Sequence, residues 1–340
     1  MRTLLLLASL TLIAAPVAAG DEDLFRAADG ESWGFIDASG DWAIEPRFDD
    51  VQHFASGRAA AFDGDSWGII DGSGEWVAGP GRDSLGQITM AEKYTFPEPP
   101  YSVFRDGHAL ACEAMEGCDL IDRDGDTVIA GDDFRELQRP AEGLLAFQPD
   151  NGLMDAVYGY MDLDGDVVIE DQFDDAGFFR EGRAPVAAGF NEWGYIDTSG
   201  EVVIAKEYRD AGAFGDGLAP VQVDMREWQY IDRDGDTAIA GPFEDATPFQ
   251  DGVALVTDGE TGDEQFIDTE GEPVLAEITD RDDLCHIEPF RNGLAHALLA
   301  DPDDGCGAIA VETQYDRLFA AHADRAYFDL DGEVVWREGQ

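Results

Sequence analysis

The chain has 340 residues, 74 of them Asp or Glu against 21 Lys or Arg, for a formal net charge of -53. Phosphate-binding surfaces work through clustered Lys and Arg that release counterions. Here Lys stands only at Lys93 and Lys206, so nucleic acid and anionic membrane are excluded as partners. Disorder is excluded as well, because 44% of the residues are hydrophobic and 11% aromatic, enough to bury a sizeable core.

At the N-terminus, Arg2 precedes the apolar runs Leu4 to Leu7 and Leu10 to Ala15, and Val17-Ala18-Ala19 supplies small residues before Gly20-Asp21-Glu22-Asp23. This is the pattern of a secretory leader over residues 1–19, leaving a mature chain of 20–340. No later stretch approaches the ~18 uninterrupted apolar residues of a bilayer helix, so membrane insertion is not expected. Export to a periplasmic or extracellular compartment makes disulfides the default for Cys112, Cys118, Cys285 and Cys306. Three pairings are open. Cys112–Cys118 with Cys285–Cys306 is preferred because each bond then closes one hairpin-like segment. Zinc is disfavoured, since the spacing is not CxxC and no His pair stands nearby.

The remainder is one unit repeated. A short strand ending in Asp recurs at Trp33-Gly34-Phe35-Ile36-Asp37, Trp67-Gly68-Ile69-Ile70-Asp71, Tyr158-Gly159-Tyr160-Met161-Asp162, Trp193-Gly194-Tyr195-Ile196-Asp197 and Trp228-Gln229-Tyr230-Ile231-Asp232. Weaker copies end at Asp122, Asp268 and Asp329. The eight marker aspartates are 34, 51, 40, 35, 35, 36 and 61 residues apart, which gives a period near 35 with insertions near 79–100 and 276–326. After each marker come two residues and a Gly, as in Ala38-Ser39-Gly40 and Thr198-Ser199-Gly200. Asp bonds the backbone ahead of it while Gly takes the positive φ of a tight turn, so each copy is read as a β-hairpin. Next come an aromatic residue with acids (Phe48-Asp49-Asp50, Phe173-Asp174-Asp175), a Phe-x-x-Gly element (Phe54 to Gly57, Phe179 to Gly182, Phe214 to Gly217) and an alternating strand such as Leu218 to Val223. Without helical periodicity, the expected fold is all-β. It is an elongated tandem array of about eight short antiparallel hairpin units, with a β-propeller as the alternative that the irregular intervals of 51 and 61 residues argue against. Trp33 and Phe35 share one strand face and Ile36 the other, so neighbouring units must supply the cover.

The Trp-Gly-x-Ile-Asp start, the Asp-x-x-Gly turn, the Ile/Val-x-Pro-x-Phe-Asp middle and the Phe-x-x-Gly-x-Ala end resemble the WG β-repeat proteins. The resemblance extends over about residues 31 to 336, with Cys118-Asp119, Glu264-Gln265 and Arg325-Ala326 replacing Trp-Gly. It implies a β-repeat scaffold with generally no assigned chemistry, and it transfers no catalytic residue.

Several motifs look chemical. Gly64-Asp65-Ser66-Trp67-Gly68 and Gly30-Glu31-Ser32-Trp33-Gly34 match GxSxG, but a strand follows where a nucleophile elbow needs a helix. His53, His108, His286, His296 and His322 share neither a repeat position nor a metal spacing, and the pairs Asp49-Asp50, Asp132-Asp133 and Asp174-Asp175 are lost among so many acids. The best ligand candidates are the turns Asp122-Arg123-Asp124-Gly125-Asp126, Asp162-Leu163-Asp164-Gly165-Asp166 and Asp232-Arg233-Asp234-Gly235-Asp236. Their carboxylates could share a calcium ion, but no loop has a Glu at its twelfth position, and turn chemistry alone accounts for the pattern. No other cofactor is expected. The functional expectation is an exported, non-enzymatic binding or scaffold protein, with protein or envelope glycan as partner. A calcium-binding structural protein and a cell-envelope hydrolase built on Ser66 or a carboxylate pair are the alternatives.

Overall fold

The structure, a computed structural model, describes residues 24–340 apart from 31, 83, 86–103, 114–116, 151–156, 301–305, 307–308, 313–316, 321–322 and 339–340. The expected leader and most of the insertion expected at 79–100 lie outside the described residues. Within them the chain is almost entirely strand, and its helices are the single turns Gly131–Asp133 and Ala276–Thr279.

The meander Asp175–Ala176, Arg183–Ala187, Trp193–Asp197 and Val202–Tyr208 is representative: four consecutive strands, each antiparallel to the one before. The same order recurs along the chain, and the seven-stranded sheet is two meanders joined through the ten-residue strand Thr237–Ala246. Divided there, and setting aside one two-stranded hairpin, the described residues form eight sheets, matching the eight sequence units. The first sheet alone has three strands, Phe25–Asp29, Ser32–Ile36 and Trp42–Phe48. The sheet within 276–326 has the usual plan, with Leu284–Ile287 as its first strand. An extra hairpin, Ile309–Glu312 with Arg317–Ala320, inserted before Ala323–Asp329 accounts for much of the 61-residue interval.

The fourth strand of each meander faces solvent, with Val167 at 50% and Val202 at 53% exposure, whereas Phe54, Phe104, Phe179, Phe214, Phe249 and Phe290 beside the first strands are at 1% or less. The first strands are therefore the inner ones. Contacts that skip a sheet show these inner edges converging: the Arg105 guanidinium lies 4.4 Å from the Phe178 ring, and Arg291 donates to the Phe54 carbonyl at 2.9 Å. The first and last sheets also meet. Phe25 and Tyr327 pack ring to ring at 5.7 Å, Trp42 and Trp336 at 6.3 Å, and Phe25, Ala27, Ile36, Leu294 and Tyr327 share one core. The array is thus closed into a ring rather than elongated as expected: the apolar faces of the first and last sheets cover each other, which is the propeller alternative, and the irregular intervals are taken up by insertions.

Sequence unit and sheet are out of phase. The Trp-Gly strand and its partner are the outer half of one sheet, and the Phe-x-x-Gly element and following strand are the inner half of the next. One core accordingly joins Trp193, Tyr195, Ile204 and Tyr208 to Ala211, Phe214, Ala219 and Val221, all from a single repeat lying across two sheets. Two further cores are built the same way. Three of these interfaces carry a buried tyrosine that donates to the next inner strand: Tyr160 to the Gly177 carbonyl, Tyr195 to Gly212 and Tyr230 to Thr247, at 2.6 to 2.8 Å.

Space explains the Trp-Gly glycine. The outer pair is bulged across it and again after the following Tyr, and a Cβ on Gly159 or Gly194 would stand 2.6 Å from the carbonyl oxygen of Ile169 or Ile204. Two copies that lack this glycine carry one across from it instead, Gly241 within the opposing strand and Gly131 in the single turn that follows it. A Cβ on Gly131 or Gly241 would meet the carbonyl of Cys118 or Trp228.

Candidate functional site

A four-strand meander puts its first and third turns at the same end, and among the described residues the repeats place seven first turns and eight third turns around the ring. The third turn is the Asp-x-x-Gly turn. In each copy the marker Asp carbonyl accepts from the Gly N–H, and the Gly has φ between 78 and 87°. The marker carboxylate accepts backbone N–H bonds from the residues two and four positions on, as Asp162 Oδ1 does from Asp164 at 3.0 Å and Asp166 at 2.9 Å. Asp122 and Asp232 bind Asp124, Asp126, Asp234 and Asp236 in the same manner. The fifth position is acidic and exposed in every copy: Asp41, Glu75, Asp126, Asp166, Glu201, Asp236, Glu272 and Glu333.

The structure therefore engages the first carboxylate of each proposed calcium turn with chain amides and leaves Asp124, Asp126, Asp164, Asp166, Asp234 and Asp236 exposed. Among the described residues no three His, Cys, Asp or Glu groups converge as a metal cage would require.

The first turns are two-residue loops with both residues at positive φ, such as Glu181-Gly182 and Asp216-Gly217. Here the structure reveals links between units. The Gly143 N–H donates to Asp106 at 2.7 Å, Gly182 to Glu142, Gly252 to Asp216 and Gly293 to Asp251 at 2.8 Å, and Gly217 to Glu181 at 3.2 Å. Gly107 donates to Ser56 Oγ at 3.2 Å. The sequence signal was the acid before the Gly of Phe-x-x-Gly, which carries no charge label until the turns are seen to touch. A groove of about 620 Å³ opens on this end between Ser56, Asp106, Gly107, His108, Asp122, Arg123 and Asp124. Two arginines brace it: Arg58 Nε donates to the Arg123 carbonyl at 3.0 Å and faces Asp124 at 3.6 Å.

A second acidic series lies where the inner strands begin. Glu136, Asp175, Asp210 and Asp245 occupy equivalent positions in four successive sheets. Each of the last three accepts from the N–H of the next residue. Burial, reinforced by the neighbouring carboxylates, raises Asp175 to about 6 and Asp210 to about 7, and burial raises Asp245 as well.

The remaining candidates are dispersed. Ser66 follows the strand-two turn, its N–H held by Asp63 at 3.0 Å, with a strand after it as the sequence implied. Cysteine pairing follows the preferred scheme: Cys112–Cys118 bridges directly opposed strand positions, and Cys285–Cys306 ties an inner strand to the inserted segment. His108 stands at the groove, and His322 is outside the described residues. His53 is buried, and His296 stands 3.3 Å from Glu288 beside Tyr327 in the last sheet.

The described residues contain no helix long and apolar enough to cross a membrane. No curated protein matches the chain. Among solved structures it is similar to the computationally designed Ika8 protein, at 10% identity and TM-score 0.51 over 85% of this chain and 86% of that one. It is also similar to a prolyl endopeptidase at 12% identity and TM-score 0.50, over 85% of this chain but 49% of the enzyme. BamB from Moraxella catarrhalis aligns at 11% identity and TM-score 0.44, over 82% and 93% of the two chains. These neighbours are β-propeller-like, and at such identities the likeness concerns fold alone. The family model "WG containing repeat" matches residues 33–65, 158–187, 193–224 and 228–260, each stretch running from the outer half of one sheet into the inner half of the next. With the motif, its staggered placement and the family model in agreement, the chain is a WG-repeat protein.

Proposed function

We propose that the protein is an exported, non-enzymatic binding scaffold whose turn-bearing end recruits a basic protein partner. The observation that carries this reading is the display of one exposed acid from each of eight equivalent turns at a single end of a closed ring. Backbone hydrogen bonds fix each turn, so the charges are held in place before a partner arrives and little ordering entropy is lost on binding. Clustered carboxylates raise the local potential and speed encounter with a cationic surface. The two disulfides fit an oxidising compartment such as a periplasm.

The test separates a patterned face from bulk charge. In one variant Asp126, Asp166, Glu201 and Asp236 become Asn or Gln, and in a second the same number of exposed acids is neutralised on the opposite end. Binding to an immobilised Lys-rich peptide at 50 and 200 mM salt is then compared. The face variant is expected to lose about tenfold in affinity and much of the salt dependence, while the control stays near wild type. Equal losses in both would reduce the interaction to net charge and end this reading.

A further inference from the structure

Two clefts between neighbouring sheets are built alike and differ in one charge. In each, the arginine that follows a marker Asp reaches back to the first turn of the preceding sheet. Arg233 donates to the Glu181 carbonyl and has the Glu181 carboxylate 3.9 Å from its Nη1. Both oxygens of that carboxylate also accept the Gly217 N–H at 3.2 Å. Arg123 reaches the Ser56 carbonyl in the same way, at 3.4 Å, and Ser56 Oγ takes the Gly107 N–H at 3.2 Å. Serine thus replaces glutamate as acceptor for the amide but brings no charge, and the Arg123 guanidinium has no ion pair among the described residues.

The groove of about 620 Å³ lies at this place, with Ser56, His108 and Arg123 on its wall. Its volume is within the range, roughly 300 to 1,000 Å³, that encloses small ligands. Arg58 is already engaged: Nε and Nη1 donate to the carbonyls of Arg123 and Gly57, and Nη2 faces Asp124 at 3.6 Å. His108 Nδ1 bonds to the Asp106 carbonyl at 2.8 Å, so the neutral ring carries its proton there and Nε2 is an acceptor. The donors left for a ligand are the Arg123 fork and the Ser56 hydroxyl, which match a carboxylate. Around them stand Asp106, Asp122 and Asp124, which repel an anion that brings no positive charge of its own.

We propose that this groove receives the C-terminus of a basic polypeptide, with the α-carboxylate on Arg123 and Ser56 and a cationic side chain of the last residues against Asp106 and Asp124. The ligand carboxylate takes the place that Glu181 fills in the sister cleft. The site rests on the reading of this end as the face that recruits a basic partner, and it adds a requirement for the partner's free chain end.

The probes are the peptide acetyl-Lys-Ala-Lys as its free acid and as its C-terminal amide, each titrated calorimetrically into the protein. The amide carries one more positive charge, so attraction to a chain of net charge -53 favours it, and only a built carboxylate site reverses that order. Wild type is expected to bind the acid about tenfold more tightly than the amide. Ser56→Glu supplies the carboxylate from the chain itself, as Glu181 does, and is expected to abolish the preference, as is Arg123→Gln. Arg233→Gln is expected to retain it. Equal or tighter binding of the amide by wild type, or a preference that survives both Ser56→Glu and Arg123→Gln, would overturn the proposal and leave the recruiting face standing. Failure of wild type to bind either peptide would overturn the proposal together with that reading.

Discussion

Asp210 stands out among the single residues. Its side chain accepts the Ala211 N–H at 2.8 Å, yet burial and the flanking carboxylates Asp175 and Asp245 raise it from 3.8 to about 7. A carboxyl with a raised folded-state pKa holds its proton more tightly when folded than when unfolded. The stability it confers is complete below about pH 4 and declines as pH rises towards 7. The protein is therefore expected to unfold at lower urea concentration at pH 8 than at pH 5. Asp210→Asn keeps an acceptor for Ala211 and removes the charge. It is expected to add on the order of 2 kcal/mol at pH 8 and only a small fraction of that at pH 4, a difference that urea titrations at the two pH values would resolve. The acid pairs in the sequence gave no hint of this. Asp174 and Asp175 are neighbours in the chain, but Asp174 is exposed while Asp175 is turned inward, where burial raises it, because successive side chains of a strand point to opposite faces.

The two-strand element with its Asp-x-x-Gly turn was fully legible, because everything that shapes it lies within five residues. The marker Asp, the glycine at positive φ and the acid at the fifth position recur in the sequence as they do in space. Imperfect copies were harder to read, and Gln229 in place of the usual glycine looked like decay of the motif. The structure shows a compensation instead, with Gly241 on the opposing strand providing the close approach that Gly194 provides in the preceding unit. Gly194→Ala drives a methyl towards the Ile204 carbonyl and is expected to cost about 2 kcal/mol. Gln229→Gly faces a site already relieved by Gly241 and is expected to cost under about 1 kcal/mol, the entropy of an added glycine. Comparable losses in the two variants by chemical denaturation would show that the glycine acts through something other than space.

For the whole molecule, periodicity established the number of units and the lack of helices, but not ring closure. Closure depends on residues some 300 positions apart, such as Tyr327 and Arg26, whose meeting no local pattern encodes. Three of the cores between sheets are built mainly from single repeats, so peptide bonds hold most of their two sides together. Among the described residues, side-chain contacts join the last sheet to the first, through Phe25, Leu294, Tyr327, Trp42 and Trp336. That interface is expected to open first. In hydrogen exchange, amides of Phe25–Asp29 and Ala323–Asp329 are expected to lose protection at lower denaturant than those of Trp193–Asp197 and Ala219–Asp224. Simultaneous loss across all four strands would mean that the ring yields as one cooperative body.

The half-sheet stagger between repeat and sheet also bears on how such a chain can grow or shrink. Gaining a whole copy anywhere in its interior contributes an outer pair to one layer and an inner pair to its successor, so neither side is left with a bare edge to aggregate. Gene duplication could thus change the circumference of the molecule by whole steps, and only the junction of the two termini would have to find a new fit.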